Sequence, residues 1–313
     1  MKRVVFLDAC TQEMENLFAK NGYTVDKAYE WDREKSKNAC KGATGIIVRS
    51  RFPIDRAFLA SCSEIEFIGR FGAGLENIDL QAAAEFNIKC YNVPEGNRRA
   101  VAEHALGMTL YLINHMGRSD SEIRRGVWKR AENTGRELHS LTIGLIGFGY
   151  MGKEFAELLL ALGAKVIAHD KYAPSTDPRV EAVSKEELRK RSDVISLHLP
   201  LSSETKYYFS QEYIELSDKP FYLINTSRGP VVDTQAVVNA LDSGLILGAG
   251  LDVLEYEKAS FTEAFTGDTP AALERLLQKT DNTLLTSHIA GWTQESFQKM
   301  GQYLVQKILE QKV

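Results

Sequence analysis

The sequence predicts an α/β protein made of doubly wound parallel sheets in two domains. Three observations carry that prediction. Short apolar runs of strand composition alternate with helix-like runs along nearly the whole chain. One such unit, Leu141 to Asp170, has a strand, a glycine-rich turn, a helix, a second strand and a terminal acid in that order. A chain of 313 residues is also long enough for two domains of ordinary size.

Composition narrows the class. Hydrophobic residues make up 44% and charged residues 26%, as in soluble globular proteins. A net charge of −4 gives no reason to expect nucleic acid or an anionic membrane as partner. No apolar run approaches membrane-spanning length. The start, MKRVVFLDAC, is basic and then apolar, but Asp8 ends the run too soon for a signal peptide, so it reads as a first strand. Cys10, Cys40, Cys62 and Cys90 form no C-x-x-C pair and have no His at ligand spacing. No metal site is expected, and the thiols suit a reducing, cytoplasmic setting.

In the first part of the chain, strands are expected at Val4–Leu7, Thr24–Lys27, Gly45–Val48, Phe67–Arg70 and Lys89–Tyr91. Helical patterns lie between them at Gln12–Lys20, Asp55–Ser61 and Asp79–Phe86, which implies a parallel sheet covered on both faces. Two loops follow strand ends there. Arg49-Ser50-Arg51 puts two cations beside a hydroxyl, and Arg70-Phe71-Gly72-Ala73-Gly74 exposes backbone N–H groups. Ligands of open α/β sheets sit beyond the carboxyl ends of the strands, so both loops can face one anion. Two ordinary turns with solvated arginines account for the same residues equally well. Asn92 to Asn97 reads as a turn-rich hinge. A long helix is expected from about Arg98 to His115, with Val101, Ala105, Met108 and Leu112 on one face. Trp128, in the polar stretch beyond, suits either a partner contact or a ring folded over the domain edge.

The unit at Leu141 to Asp170 carries the first chemical signal. Its turn, Gly147-Phe148-Gly149-Tyr150-Met151-Gly152, is a G-x-G-x-x-G between a strand and a helix. Gly147 permits the tight turn, Gly149 lets backbone approach a pyrophosphate, and Gly152 lets the helix pack close to the sheet. The helix start offers N–H groups to phosphates. Asp170 stands about 20 residues on, where a carboxylate accepts hydrogen bonds from ribose hydroxyls and repels a 2′-phosphate. The pattern points to a Rossmann dinucleotide site and to NAD over NADP. Lys171 reads as a solvated surface lysine.

Later strands are expected at Val194–Leu197, Tyr222–Asn225, Gly248–Leu251 and Thr283–Thr286, with helices at Thr234–Leu241 and Gln294–Leu309. They end on polar or ionisable residues: His198, Arg228, Asp252 and His288 follow Asp170 in this. In a parallel sheet such ends share one edge. Hydride exchange at a hydroxyl or carbonyl carbon needs an acid/base, a cation for the substrate charge and a carboxylate beside the base. His288 can be the acid/base, since imidazole titrates near neutrality. Glu257 or Asp252 beside it would favour the imidazolium. Arg228 can grip a carboxylate and a keto oxygen with its planar fork. Each of these is, taken alone, also an ordinary strand-end residue.

At this point the residues resemble a known family, the D-isomer-specific 2-hydroxyacid dehydrogenases, and within it the phosphoglycerate dehydrogenase branch. The matching segments are VRSR at Val48–Arg51, GRFGAGLENIDL at Gly69–Leu80 and NVPEGNRRAVAEHALG at Asn92–Gly107. GLIGFGYMG at Gly144–Gly152, LHLPLSSET at Leu197–Thr205 and INTSRGPVVD at Ile224–Asp233 follow. GAGLDVLEYE at Gly248–Glu257 and SHIAGWT at Ser287–Thr293 complete the series. The resemblance implies a catalytic trio of Arg228, Glu257 and His288. It implies that Tyr150, Met151, His198, Leu199, Pro200, Thr226, Ser227, Ala290 and Gly291 line the cofactor, with Asp252 meeting the nicotinamide carboxamide. It implies that Ala73 and Gly74 hold the substrate carboxylate by backbone N–H groups; Arg49, Ser50 and Asn97 are further candidates to meet the substrate. The implied architecture is a Rossmann NAD domain, 95–285, inserted in a flavodoxin-like substrate domain, 1–94 and 286–313. The implied assembly is a homodimer acting on a small anionic 2-hydroxy or 2-keto acid. Arg49 and Arg51 suggest a phosphorylated acid.

Three departures stand out. Lys258 follows Glu257 where the family usually has Pro, and a polar insert, Ala259 to Thr269, comes next, which leaves Glu255 as understudy to Glu257. Trp292 stands where many relatives carry a small residue. The chain ends at Val313, without the regulatory domain of longer phosphoglycerate dehydrogenases, so serine feedback is not expected. The alternative from another class is an NAD(H)-sensing binding protein, like the corepressors that share this fold and trio.

Overall fold

The structure, a computed structural model, describes residues 2–173, 175–257 and 269–310. Lys258 and nearly all of the insert after it lie outside the described residues. Contacts divide the chain into two units, 2–98 with 292–310, and 99–257 with 269–291.

The first unit holds five parallel strands: β1 (Lys2–Phe6), β2 (Tyr23–Lys27), β3 (Gly45–Val48), β4 (Phe67–Arg70) and β5 (Lys89–Tyr91). Their spatial order is β2-β1-β3-β4-β5, the flavodoxin-like order. Successive side chains of a strand point to opposite faces, and both faces here are buried. Val5, Ile46, Val48 and Ile68 pack with Phe58, Leu59, Ala82 and Ala83 of helices Arg56–Ala60 and Leu80–Glu85. Val4, Phe6, Ile47 and Phe67 pack with Met14 and Phe18 of helix Gln12–Lys20 and with Leu304 and Ile308 of helix Gln294–Glu310. The C-terminal helix therefore completes the N-terminal core.

Asn92 to Asn97 is not a free hinge. Helix Pro94–Ile113 begins inside it. Proline suits the first helical position, where its missing N–H is not needed. Glu95 is paired with Lys307 at 2.5 Å, and a Cβ on Gly96 would lie 2.5 Å from Met300 Cγ. These contacts tie the first helical turn to the C-terminal helix. The division of the chain accordingly falls after Arg98 and after Gly291, a few residues beyond the boundaries suggested by the sequence.

The second unit holds seven parallel strands: β6 (Thr142–Ile146), β7 (Lys165–His169), β8 (Glu181–Ala182), β9 (Val194–Leu197), β10 (Phe221–Asn225), β11 (Ile246–Leu251) and β12 (Thr283–Leu285). The order is β12-β11-β10-β9-β6-β7-β8. The direction of winding reverses between β6 and β9, the position where doubly wound sheets bind ligands. Ile143, Leu145, Val166, Val194 and Ile224 face one core, with Phe155 and Leu159 of helix Tyr150–Ala161. Ile146, Ile167, Ile195, Leu197 and Leu223 face the other, with Val237 and Leu241 of helix Thr234–Ser243.

Several elements escaped the sequence pattern. Helix Arg33–Ala39 reads REKSKNA, with no apolar stripe, and starts because the Asp32 carboxylate accepts from Lys35 N. Ser184 and Ser210 cap helices Lys185–Arg191 and Gln211–Glu215 in the same way. Strand β8 has two exposed residues and is recognisable only by its pairing with β7.

Candidate active site

The glycine turn is built by close approach. Gly147 has φ +94°, and a Cβ there would lie 2.4 Å from the His198 carbonyl oxygen. A Cβ on Gly152 would lie 2.3 Å from the Gly147 carbonyl oxygen. Gly149 differs: a Cβ there would meet nothing within 4 Å. Open space at Gly149 is what a closely approaching ligand requires.

Asp170 latches this turn. Its Oδ2 accepts from Phe148 N at 2.7 Å, and its Oδ1 accepts from Tyr172 N and Ala173 N, each at 2.8 Å. Burial works to raise its affinity for a proton, but the three N–H bonds outweigh burial and hold the carboxyl below its usual range. Lys171 lies 3.1 Å from Glu204 Oε2, which also accepts from Tyr172 Oη at 2.6 Å. The lysine charge beside Asp170 is thus matched by Glu204.

Helix Tyr150–Ala161 has Gly149 at its N-cap and no side-chain cap. Thr226 Oγ1, beyond the end of β10, is buried without a hydrogen-bond partner among the described residues. His198 Nε2 lies 3.0 Å from Ser196 Oγ, and burial brings the ring down to about 4, so it is neutral at pH 7. The Pro200 carbonyl accepts from Thr205 Oγ1 and closes the turn after Leu199. An uncapped helix start, an open glycine, a terminal acid and an orphaned buried hydroxyl together fit NAD.

At the far side of the sheet, the segment after β12 is fastened to Asp252. This aspartate is 1% exposed. Its Oδ1 accepts from Thr286 Oγ1 at 2.6 Å and Ile289 N at 2.9 Å, and its Oδ2 accepts from Ala290 N at 2.9 Å. Its carbonyl oxygen accepts from His288 N at 2.8 Å. His288 lies within this loop with φ +57°, a left-handed conformation uncommon for a non-glycine residue. His288 Nδ1 lies 3.2 and 3.3 Å from the two oxygens of Glu257. His104 adds a brace, with Nε2 3.1 Å from Thr286 Oγ1. Gly291 follows Ala290 at the end of this loop.

Glu255 is engaged elsewhere. It accepts from Thr234 N at 3.0 Å and from Tyr207 Oη at 2.8 Å, which pushes the Tyr207 phenol up to about 12. The carboxylate at His288 is therefore Glu257.

Arg228 follows an Asn225 turn. Asn225 Oδ1 accepts from Ser227 N and Oγ, and Asn225 Nδ2 donates to the Arg228 carbonyl at 3.1 Å. Arg228 Nη1 donates to the Ser227 carbonyl at 2.7 Å. Next to it, a Cβ on Gly229 would lie 1.9 Å from the Leu254 carbonyl oxygen, so the loop packs directly on the segment before Glu255.

In the first unit, Arg49 and Arg51 part company. Arg51 Nη1 donates to the Ala28 and Leu7 carbonyls at 2.8 and 3.3 Å, so it braces its own unit. Arg49 is held through its backbone, whose N–H reaches Asp8 Oδ2 at 2.6 Å. Its guanidinium stacks 3.9 Å from the Trp292 ring centroid, and burial lowers its proton affinity against the pull of Asp8. Ser50 is half-buried beside it. The N–H groups of Ala73 and Gly74 meet no acceptor among the described residues, while the Ala73 carbonyl accepts from Asn92. Asn97 Oδ1 is buried without a partner among the described residues.

His104, Glu204 and Glu255 carry no motif of their own. Glu255 entered the sequence reading only as understudy to Glu257, and His104 and Glu204 only as members of the family-like segments NVPEGNRRAVAEHALG and LHLPLSSET. Among the described residues, no group of three or more His, Cys, Asp or Glu is placed to hold a metal ion, and no helix is long and apolar enough to cross a membrane.

Comparison with known proteins settles the family. Residues 106–290 match the model of the D-isomer specific 2-hydroxyacid dehydrogenase, NAD binding domain. The chain belongs to this family. A hydroxypyruvate reductase of Thermotoga maritima is 36% identical over 85% of this chain and 84% of its own length. A chloroplastic D-3-phosphoglycerate dehydrogenase of Arabidopsis thaliana is 33% identical over 94% of this chain, which spans only 46% of that protein. The crystal structure of an Aquifex aeolicus D-lactate dehydrogenase, complexed with NAD and lactic acid, superposes with TM-score 0.85 at 30% identity, covering 98% of this chain and 94% of that one. This family member is an NAD-dependent oxidoreductase, and these three relatives, each named as a reductase or dehydrogenase, support that reading over a binding protein without turnover.

Proposed function

We propose that this dehydrogenase interconverts a small D-2-hydroxy acid and its 2-keto acid with Arg228, Glu257 and His288 as its working residues. The observation that supports this most is the contact of His288 Nδ1 with Glu257 at 3.2 Å. A carboxylate against Nδ1 orients the ring and leaves Nε2 as the nitrogen that exchanges a proton. In the reduction direction, His288 gives that proton to the keto oxygen as it becomes a hydroxyl; in oxidation it takes the proton back. When bound, NADH supplies the hydride for the keto carbon. Arg228 offers its fork to the carboxylate and keto oxygen, which orients the substrate and steadies negative charge growing on the oxygen.

The NAD-binding role falls to the second unit. Gly147, Gly149, Tyr150, Met151 and Gly152 would hold the pyrophosphate, and Asp170 the ribose. His198, Leu199, Pro200, Thr226, Ser227, Ala290 and Gly291 would line the rest. Asp252 keeps lone pairs for a nicotinamide carboxamide beyond those used by its loop. The first unit would contribute Ala73 and Gly74 N–H groups, Arg49, Ser50 and Asn97 to the substrate. With Arg51 tied to its own unit, a phosphorylated acid would rest on Arg49 alone. We also infer a cytoplasmic homodimer, from the free thiols and the family likeness.

A panel of 2-keto acids incubated with NADH tests the reading. At least one acid should oxidise NADH, and His288→Ala should bind NADH but lose most turnover. No oxidation with any acid would remove the proposal.

A further inference from the structure

We propose that His104 is a positioning residue for His288: its Nε2–H fixes the Thr286 hydroxyl on Asp252, and through Asp252 it holds the loop that presents the imidazole. The inference rests on the reading that His288 exchanges the proton, and it carries that machinery one helix further back.

Every residue in the argument lies in the second unit. Strand residues two apart share a face, and helix residues four apart share a stripe. Gly248, Gly250 and Asp252, at the end of β11, form such a strand series; Leu112, Met108 and His104 of helix Pro94–Ile113 form such a helix series, running the opposite way. A Cβ on Gly248 would lie 3.2 Å from Leu112 Cδ2, and one on Gly250 would lie 3.1 Å from Met108 Cβ. In the third pair, His104 Nε2 lies 3.6 Å from Asp252 Oδ1. Two strand residues advance about 6.6 Å and four helical residues about 6 Å, so the register holds over all three pairs. The two glycines let the helix down onto the strand. The third pair then replaces packing with a polar contact.

Counting protons gives the direction of the hydrogen bonds. Ile289 N–H and Ala290 N–H take different oxygens of Asp252, each at 2.9 Å. The Thr286 hydroxyl has one proton, and it donates that proton to Oδ1 at 2.6 Å. The same hydroxyl oxygen lies 3.1 Å from His104 Nε2, where it can only accept, so Nε2 carries a hydrogen. The neutral ring protonated on Nε2 and the imidazolium both meet that condition. Imidazole, hydroxyl and carboxylate thus form one directed chain, in which each bond polarises the next. Among the described residues, no lysine or arginine pairs with Asp252, so His104 is the basic side chain within ion-pair reach of this buried carboxyl.

The loop depends on that chain because the sheet gives it little else. β12 is an edge strand of three residues, paired with β11 alone. Thr286 N still reaches the Leu251 carbonyl at 3.0 Å, and the chain then leaves the sheet. His288 follows two residues later in its left-handed conformation. Asp252 Oδ1 is shared by Thr286 Oγ1 before His288 and by Ile289 N after it. A Thr286 hydroxyl held between a donor and an acceptor keeps one rotamer, and Oδ1 keeps its place under His288. Apolar packing at position 104 would fill the same space without fixing that hydroxyl.

The test is steady-state kinetics with NADH and the fastest acid of a panel of glyoxylate, pyruvate, hydroxypyruvate and 3-phosphohydroxypyruvate. His104→Leu removes the donor and keeps a good helix former. It should lower kcat about tenfold, well inside the roughly 100-fold that a misplacement of about 1 Å can cost, and change KM of the acid and Kd of NADH less than about threefold. His104→Gln, whose amide nitrogen can stand in for Nε2, should keep most of kcat. Thr286→Val should lower kcat about as far as His104→Leu, and the double variant should lose no more than either, because the two act in series. Thermal melts and NADH titration would establish that each variant is folded. An unchanged kcat in His104→Leu would overturn the proposal. Equal losses in His104→Leu and His104→Gln would mean that the ring and not its donor matters, and would also overturn it. Additive losses in the double variant would show that His104 does not act through Thr286, with the same result. In these three cases the wild type still oxidises NADH and the dehydrogenase reading stands. A panel without NADH oxidation would remove that reading, and this inference with it.

Discussion

His288 and Glu257 face each other at 3.2 Å, while Glu255, two residues earlier, is turned to Tyr207 and to the start of helix Thr234–Ser243. Two carboxylates close in sequence thus have separate duties. Glu257→Gln should lower kcat about 100-fold, the lower end of what acid–base groups contribute. Glu255→Gln should keep kcat and lose about 1 kcal/mol of stability, as for loss of a helix-start acceptor. Steady-state kinetics and urea unfolding on both variants would separate the roles, and the opposite pattern would exchange them.

Asp252 governs the loop that presents His288. Its carboxylate accepts two backbone N–H groups and one hydroxyl, all within 2.6–2.9 Å, and it is almost wholly buried. Asp252→Ala would leave those donors without an acceptor, at a cost of about 3 kcal/mol. Turnover should fall too, since the left-handed backbone at His288 loses its brace. Asp252→Asn should recover little, because an amide presents one acceptor oxygen where two are in use. Urea midpoints within error of wild type would contradict this account.

The fold was legible where burial imposes a period. Strands such as Val4–Phe6 and Thr142–Ile146 show as apolar runs because both sheet faces are covered. Short helices with polar sequences, such as REKSKNA, were not legible, since a single Asp32 cap starts them and no apolar stripe marks them. Asn92 to Asn97 misled because its turn-like residues are overridden by contacts with Lys307 and Met300, more than 200 positions away in the chain. In the site, the glycine turn and the polar strand ends could be read, because each motif is local. The choice between Glu255 and Glu257, and the separate fates of Arg49 and Arg51, depend on contacts between distant segments and left no local mark.

Gly147 and Gly149 make contrasting predictions from one motif. Gly147→Ala forces a side chain into φ +94° and against the His198 carbonyl, so it should destabilise the fold. Gly149→Ala meets open space and should melt close to wild type. It should nevertheless weaken NADH binding at least tenfold, because the methyl takes the place of the pyrophosphate approach. Calorimetry and thermal melts on the pair would check this. A Gly149→Ala protein that binds NADH normally would place the pyrophosphate elsewhere.

Asp170 links cofactor choice to acid stability. Its carboxyl is held below the ordinary range in the folded state by Phe148, Tyr172 and Ala173 N–H groups, against the effect of burial. A depressed folded-state value means the unfolded chain binds the proton more readily. The stabilisation is therefore fully present above the ordinary carboxylate range, near pH 4 and upward. It is lost as pH falls through the depressed folded-state value. The difference in Tm between wild type and Asp170→Asn should then be largest at pH 7 and narrow below about pH 4. Asp170→Asn should also raise the use of NADPH relative to NADH, because a neutral amide no longer repels a 2′-phosphate. A Tm difference that grows on acidification would reverse the sign and refute the latch, and an unchanged cofactor ratio would detach Asp170 from the ribose.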